Sequence, residues 1–99
     1  MPCIYKQAQA KQDLVDIWLY TFGQWGETQA DNYLDKLEAA FLLLAEQPLI
    51  ARERTEFVPP VRIYHYANHL IVYLVVDGGI NIVRVLHKNM DIYAQLGDS

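Results

Sequence analysis

The chain has 99 residues, 53% of them hydrophobic and 20% charged, enough for one domain with its own core and too little for two. Twelve acidic residues against eight basic ones leave a formal net charge of −4, the opposite of the basic excess that marks proteins gripping phosphate backbones. No apolar run approaches the roughly 20 residues of a membrane span, and the single cysteine, Cys3, excludes an intramolecular disulfide or a thiolate metal cluster.

In chain order, Cys3 to Lys6 reads as a short first strand. From Ala8 to Gln24 the residues Leu14, Ile17, Trp18 and Phe22, continued by Trp25, recur at steps of three and four. That spacing predicts an amphipathic helix with an aromatic-rich buried stripe, and puts Gln12, Asp13 and Asp16 on its other side. Gly26 is placed to reverse the chain. A second helix is predicted from Glu27 or Thr28 to Glu46, with Thr28 and Asp31 as a capping pair and Ala30, Tyr33, Leu34, Leu37, Phe41 and Leu44 as its stripe. Pro48 stops it. So short a connection makes the two helices an antiparallel hairpin.

Residues Leu49 to Pro60 form a linker, Val61 to Tyr66 a second strand, and Ala67-Asn68 a turn. His69 to Asp91 is the most informative stretch, since two runs rich in Val and Ile flank Asp77-Gly78-Gly79, a tight hairpin signal. The first arm is apolar on both faces: Ile71, Tyr73 and Val75 on one, Leu70, Val72, Leu74 and Val76 on the other. Such a strand is central, with helices on one side and more chain or a partner on the other. The second arm, Ile80 to Leu86, carries Arg84 and breaks into His87-Lys88-Asn89-Met90-Asp91. One helical turn is predicted over Asp91 to Leu96, before a frayed Gly97-Asp98-Ser99. The order β-α-α-β-β-β defines an α+β fold, with the helical hairpin packed on a small, mostly antiparallel sheet.

Charge is uneven along the chain. Between Gln7 and Gln47 seven acids (Asp13, Asp16, Glu27, Asp31, Asp35, Glu38, Glu46) meet only Lys11 and Lys36. Any anion-binding surface therefore belongs to the C-terminal half. The histidines His65, His69 and His87 lack the spacing of a metal motif, and no nucleophile elbow or phosphate loop is present. His65 and His69 straddle a turn and are placed to face each other. A metal-free ribonuclease would draw on Arg62, Arg84, His87, Lys88 and Tyr93, and competes with a structural reading in which Arg84 pairs with an acid.

Three blocks carry a family resemblance. The first is Asp13-Leu14-x-x-Ile17-x-x-Tyr20, then Gln24-Trp25-Gly26-Glu27-x-x-Ala30-x-x-Tyr33. The second is Leu44-Ala45-Glu46-x-Pro48. The third is His69-x-Ile71-x-Tyr73, then Ile82-Val83-Arg84-Val85-Leu86-His87-x-x-Met90-Asp91. The chain resembles the ParE toxins of type II toxin–antitoxin modules, in the RelE/ParE family, over residues 1–99 as one toxin domain. The resemblance implies a non-enzymatic inhibitor of DNA gyrase, without cofactor or metal, neutralised by a ParD-like antitoxin in a hetero-oligomer. It implies DNA reached only indirectly through the antitoxin. The lone cysteine and the lack of a secretion signal point to a reducing cytoplasm, and the short apolar runs to no membrane contact. The RelE branch offers the alternative, a ribosome-dependent mRNA endonuclease. Ile63 and Leu70 stand where that branch tends to carry bases.

On this reading the target-binding residues are Arg84, His87, Lys88, Met90 and Asp91, where a strand breaks off. The bland alternative has Leu86 and Met90 sealing the core and Asp91 capping the closing turn. The antitoxin-binding residues are Leu70, Val72, Tyr73 and Arg62, beneath a segment laid over the helical hairpin and the sheet edge.

Overall fold

A computed structural model describes residues 2–96; the end expected to fray, residues 97–99, lies outside them. The elements are β1 (Cys3–Lys6), α1 (Ala8–Trp25), α2 (Glu27–Glu46), β2 (Glu53–Arg54), β3 (Val61–Tyr66), β4 (His69–Val76), β5 (Gly79–His87) and α3 (Ile92–Leu96). The five strands form one sheet in the order β1-β5-β4-β3-β2. Only β1 pairs in parallel, with β5, and the remaining pairs are antiparallel. The α+β architecture read from the sequence is the observed one. β2, a two-residue strand on β3, is an addition within the expected linker.

The two-sided apolar character of β4 has a simple cause. Ile71 and Tyr73 enter a core closed by Leu37, Phe41 and Leu44 of α2 and Ala10 and Ile17 of α1. Leu70 and Val72 enter a second core with Phe57, Val61, Ile63 and Leu86, against which Ile92 and Leu96 of α3 pack. Chain therefore covers both faces, and β4 is an interior strand. Leu70, Val72 and Tyr73 are buried, which corrects their assignment to an antitoxin surface. Neither their side chains nor their backbone edge is open to a partner. Tyr73 instead donates its hydroxyl to the Pro48 carbonyl at 2.8 Å. Arg62 Nη1 donates to the Ala51 carbonyl at 2.6 Å. Both fasten the chain leaving α2 to the sheet.

The β4–β5 turn divides its glycines between two tasks. Gly78 has φ +79° and makes the turn itself. Gly79 already belongs to β5, and a Cβ there would collide with the Cys3 backbone of β1. One glycine bends the chain; the other admits the edge strand.

Of its expected stripe α2 buries Ala30, Leu37, Phe41 and Leu44, with Ala40 and Ala45 beside them, while Tyr33 and Leu34 are half-buried. Its cap differs, since Gly26 is the N-cap and no side chain caps the helix. Asp31 accepts a hydrogen bond from Trp18 Nε1 at 2.9 Å instead. The face of α1 is the larger correction. Its buried residues are Ala10, Asp13 and Ile17, while Phe22 is 47% and Trp25 65% exposed. α1 carries more apolar residues than one stripe holds, and the face that packs is the one containing the small Ala10 and the paired Asp13.

Phe41→Ala is expected to cost about 3–5 kcal/mol as a buried aromatic truncation, read from the urea unfolding midpoint. Trp25→Ala should unfold within about 0.5 kcal/mol of the parent, as an exposed substitution does.

Candidate functional site: the end of the β4–β5 hairpin

The pairing of β1 with β5 stops at Lys6 opposite Ile82, closed by Gln7 N donating to the Ile82 carbonyl at 3.0 Å. Beyond that point the outer edge of β5 faces α1. β5 also slips by one position there: Val72 pairs with Arg84 and Tyr73 with Ile82, leaving Val83 over. The bulge changes the parity of the strand, so that Ile80, Ile82 and then Val85 reach the same core.

Asp13 closes the irregularity. Its Oδ2 accepts hydrogen bonds from the Val85 amide at 2.9 Å and Arg84 Nε at 2.8 Å, and its Oδ1 from Arg84 Nη2 at 3.0 Å. The carboxylate raises the Arg84 pKa and so holds its charge. This places two residues differently from the sequence reading. Asp13 lies on the packed face of α1, and Arg84 is paired beneath the surface instead of standing open beside His87 and Lys88. The helical stripe held the signal: an acid amid Ala10, Leu14 and Ile17 requires a partner.

Past β5 the backbone stays ordered by local bonds. Lys88 N donates to Asn68 O at 2.8 Å and Met90 N to His87 O at 2.9 Å. Asn89 N donates to His87 Nδ1 at 3.1 Å. Asp91 Oδ1 accepts from the amides of Tyr93 and Ala94, at 3.0 and 3.3 Å, and caps α3. Lys88 and Asp91 are exposed, as is Met90, which therefore does not seal the core. His87, Lys88, Met90 and Asp91 are thus brought together on one fixed turn.

His69 lies opposite His87 in the β4–β5 ladder, the two rings edge-on with centroids 5.5 Å apart. His65 pairs with Leu70 and is exposed, so the facing pair is His69 with His87, not His65 with His69. Tyr33 of α2 meets His69, its hydroxyl 2.6 Å from Nδ1. Burial, and secondarily the neighbouring His87, push the His69 pKa down to about 4; burial also raises that of Tyr33. Both groups are neutral near pH 7, and the arrangement that satisfies both has the hydroxyl donating to an unprotonated Nδ1.

These residues line one wall of a groove of about 430 Å³ that runs to the C-terminal end of α1, where Tyr20 and Trp25 form the other wall. Sequence reasoning missed it because Trp25 was assigned to the core. The surplus of aromatic residues on α1 was the available signal. Among the described residues no group of three His, Cys, Asp or Glu could hold a metal ion, and no helix is long and apolar enough to cross a membrane.

Residues 5–92 match the family model of the ParE toxin of the type II toxin–antitoxin system parDE. The chain is 38% identical over 84 residues to Toxin ParE1 of Mycobacterium tuberculosis, covering 84% of this chain and 86% of that protein. It is 35% identical to Toxin ParE1 of Caulobacter vibrioides, covering 90% and 92%. Against Toxin ParE of Escherichia coli the identity is 32%, covering 92% and 89%. The fold is shared with a solved chain of the chromosomal ParDE system of P. aeruginosa, with TM-score 0.72 and 19% identity over 88% of this chain and 96% of that one. Helical hairpin, sheet and sequence together define a toxin of a type II toxin–antitoxin module. Within that class the chain belongs to the ParE family, and an antitoxin partner follows from that membership.

Two measurements test this geometry. Asp13→Ala leaves the Arg84 charge and the Val85 amide without their partner, and should cost about 3–5 kcal/mol of unfolding free energy. By imidazole NMR, His69 should titrate near pH 4. Its folded pKa lies below the unfolded value of about 6.5. The unfolded chain therefore binds the extra proton first, and this group's contribution to stability falls as pH drops from about 6.5 to about 4. In His87→Gln the His69 pKa should rise, yet stay below 6.5, because burial is the larger cause.

Proposed function

We propose that this ParE-family toxin inhibits a type II topoisomerase, DNA gyrase, by binding it in the cytoplasm without catalysing a reaction, and that a ParD-like antitoxin holds it inactive. The observation carrying this reading is that three of the four arginines are committed to partners within the chain. Arg84 is bonded to Asp13, Arg62 to the Ala51 carbonyl, and Arg54 to Glu56 at 2.7 Å. Phosphodiester cleavage requires cations converging on one phosphate and a poised acid and base. Of the two facing imidazoles, that of His69 is already bonded to Tyr33.

The target-binding surface is the ordered turn after β5, where His87, Lys88, Met90 and Asp91 stand together. Arg84 acts behind it as a positioning residue, through Asp13 and the bulge. The antitoxin surface is the outer face of α1, where Val15, Leu19, Phe22 and Trp25 are exposed. A partner covering those residues also reaches the groove beside His87 and Met90, so neutralisation follows from masking the turn. Membership of the ParE family and its ParDE relatives support an antitoxin of this kind.

A supercoiling assay with purified gyrase tests the proposal. The parent protein should block supercoiling, and Lys88→Ala should weaken inhibition by about 1–2 kcal/mol as the loss of one contact. His87→Ala should be equally modest, whereas loss of a general base costs about 10²–10⁴-fold in rate. Messenger RNA cleavage by the parent, abolished in a folded His87→Ala protein, would replace this reading with the endonuclease.

A further inference from the structure

The groove between α1 and the end of the hairpin has an uneven chemistry. Tyr20 and Trp25 on its α1 wall are 59% and 65% exposed. Ile17, Val85 and Met90 supply apolar surface between the walls. Two carboxylates line it. That of Asp13 is taken up by Arg84. That of Asp16 has the Gln12 amide, 2.9 Å away, as its one side-chain hydrogen-bond partner among the described residues. No lysine or arginine lines the groove.

We propose that this groove receives an arginine side chain of the antitoxin, its guanidinium stacked on Trp25 and Tyr20 and paired with Asp16. The inference rests on the reading that an antitoxin covers α1. A cation is favoured by aromatic faces, and more so beside an unneutralised carboxylate. The cavity far exceeds the needs of a bare ion, and its apolar surface suits the three-carbon stem of arginine. The helical hairpin as a whole is acidic, with Glu27, Asp31 and Asp35 preceding Lys36 on α2. A second copy of this chain would bring a net charge of −4 to a groove whose one unpaired charge among the described residues is already acidic. His69 adds no charge near pH 7, being held neutral by burial.

The test is calorimetric titration of the full toxin with its cognate full-length antitoxin, at low and high salt. Asp16→Asn and Trp25→Ala replace exposed residues, and thermal melts should show both folded. Each should weaken binding about ten-fold, and Asp16→Asn should also flatten the salt dependence. One Arg→Gln substitution in the antitoxin should weaken binding to the parent toxin about ten-fold and leave binding to Asp16→Asn nearly unchanged, as a paired contact requires. Parent-like affinity of Asp16→Asn would overturn the inference and leave the antitoxin partnership standing. So would weakening by Trp25→Ala without coupling to any antitoxin arginine, which would put an apolar anchor in the groove. Weakened gyrase inhibition with unchanged antitoxin affinity would assign the groove to the target instead. An antitoxin that fails to bind even the parent toxin would overturn the partnership itself, and this inference with it.

Discussion

One carboxylate takes the place of a missing strand. β5 is longer than its edge partner β1, and past Ile82 no strand among the described residues lies beside its outer backbone. Asp13 reaches down from the second turn of α1 and accepts hydrogen bonds from the Val85 amide and from Nε and Nη2 of Arg84. A buried ion pair is a poor source of net stability, because desolvation offsets most of the attraction. Its value here is specificity. A slipped register would part Val85 and Arg84 from Asp13, and would turn the apolar set of β5 to the wrong face. The bulge at Val83 and the angle of α1 are thus fixed by the same three hydrogen bonds.

The position of the hairpin end follows from that clasp. With α1 held against β5, its C-terminal turn stands beside the start of β4 and the end of β5. Tyr33 then comes into contact with His69, and His69 with His87. The turn carrying Lys88 and Met90 is hung from Asn68 and His87 by backbone bonds. A rigid sheet thus presents a short ordered turn at its rim, next to a groove walled by aromatic rings. Rigid support for exposed loop residues lets binding proceed without a large ordering cost.

Local chemistry made much of the fold readable. Asp77-Gly78-Gly79 sets a hairpin by the conformations its residues allow, and alternation on β4 showed a strand covered on both faces. The facing of α1 was not readable, because Val15, Leu19 and Phe22 repeat as helically as Leu14 and Ile17, and periodicity cannot choose between two apolar stripes. The choice depends on Arg84, 71 positions away. For the same reason Trp25 and Phe22 read as core, and the groove that Trp25 walls stayed hidden. The turn from His87 to Asp91 was legible as the place where a strand gives way to polar residues. Leu70 and Val72 read as a partner's surface because the cover on their face comes from Phe57 and α3, which carry no strong signal of their own, whereas Tyr73 lies on the other face, under the helices. Family membership was legible in ordered blocks such as Arg84-Val85-Leu86-His87, whose meaning lies in likeness to other chains and not in any periodicity.

The claim that Asp13 substitutes for a strand is tested most directly at a single amide. Native-state hydrogen exchange should find the Val85 N–H, on an edge with no strand beside it, protected to a degree comparable with the interior amides of β4. Exchange of Val85 at the rate of an exposed loop amide, in a protein whose β4 remains protected, would contradict the account.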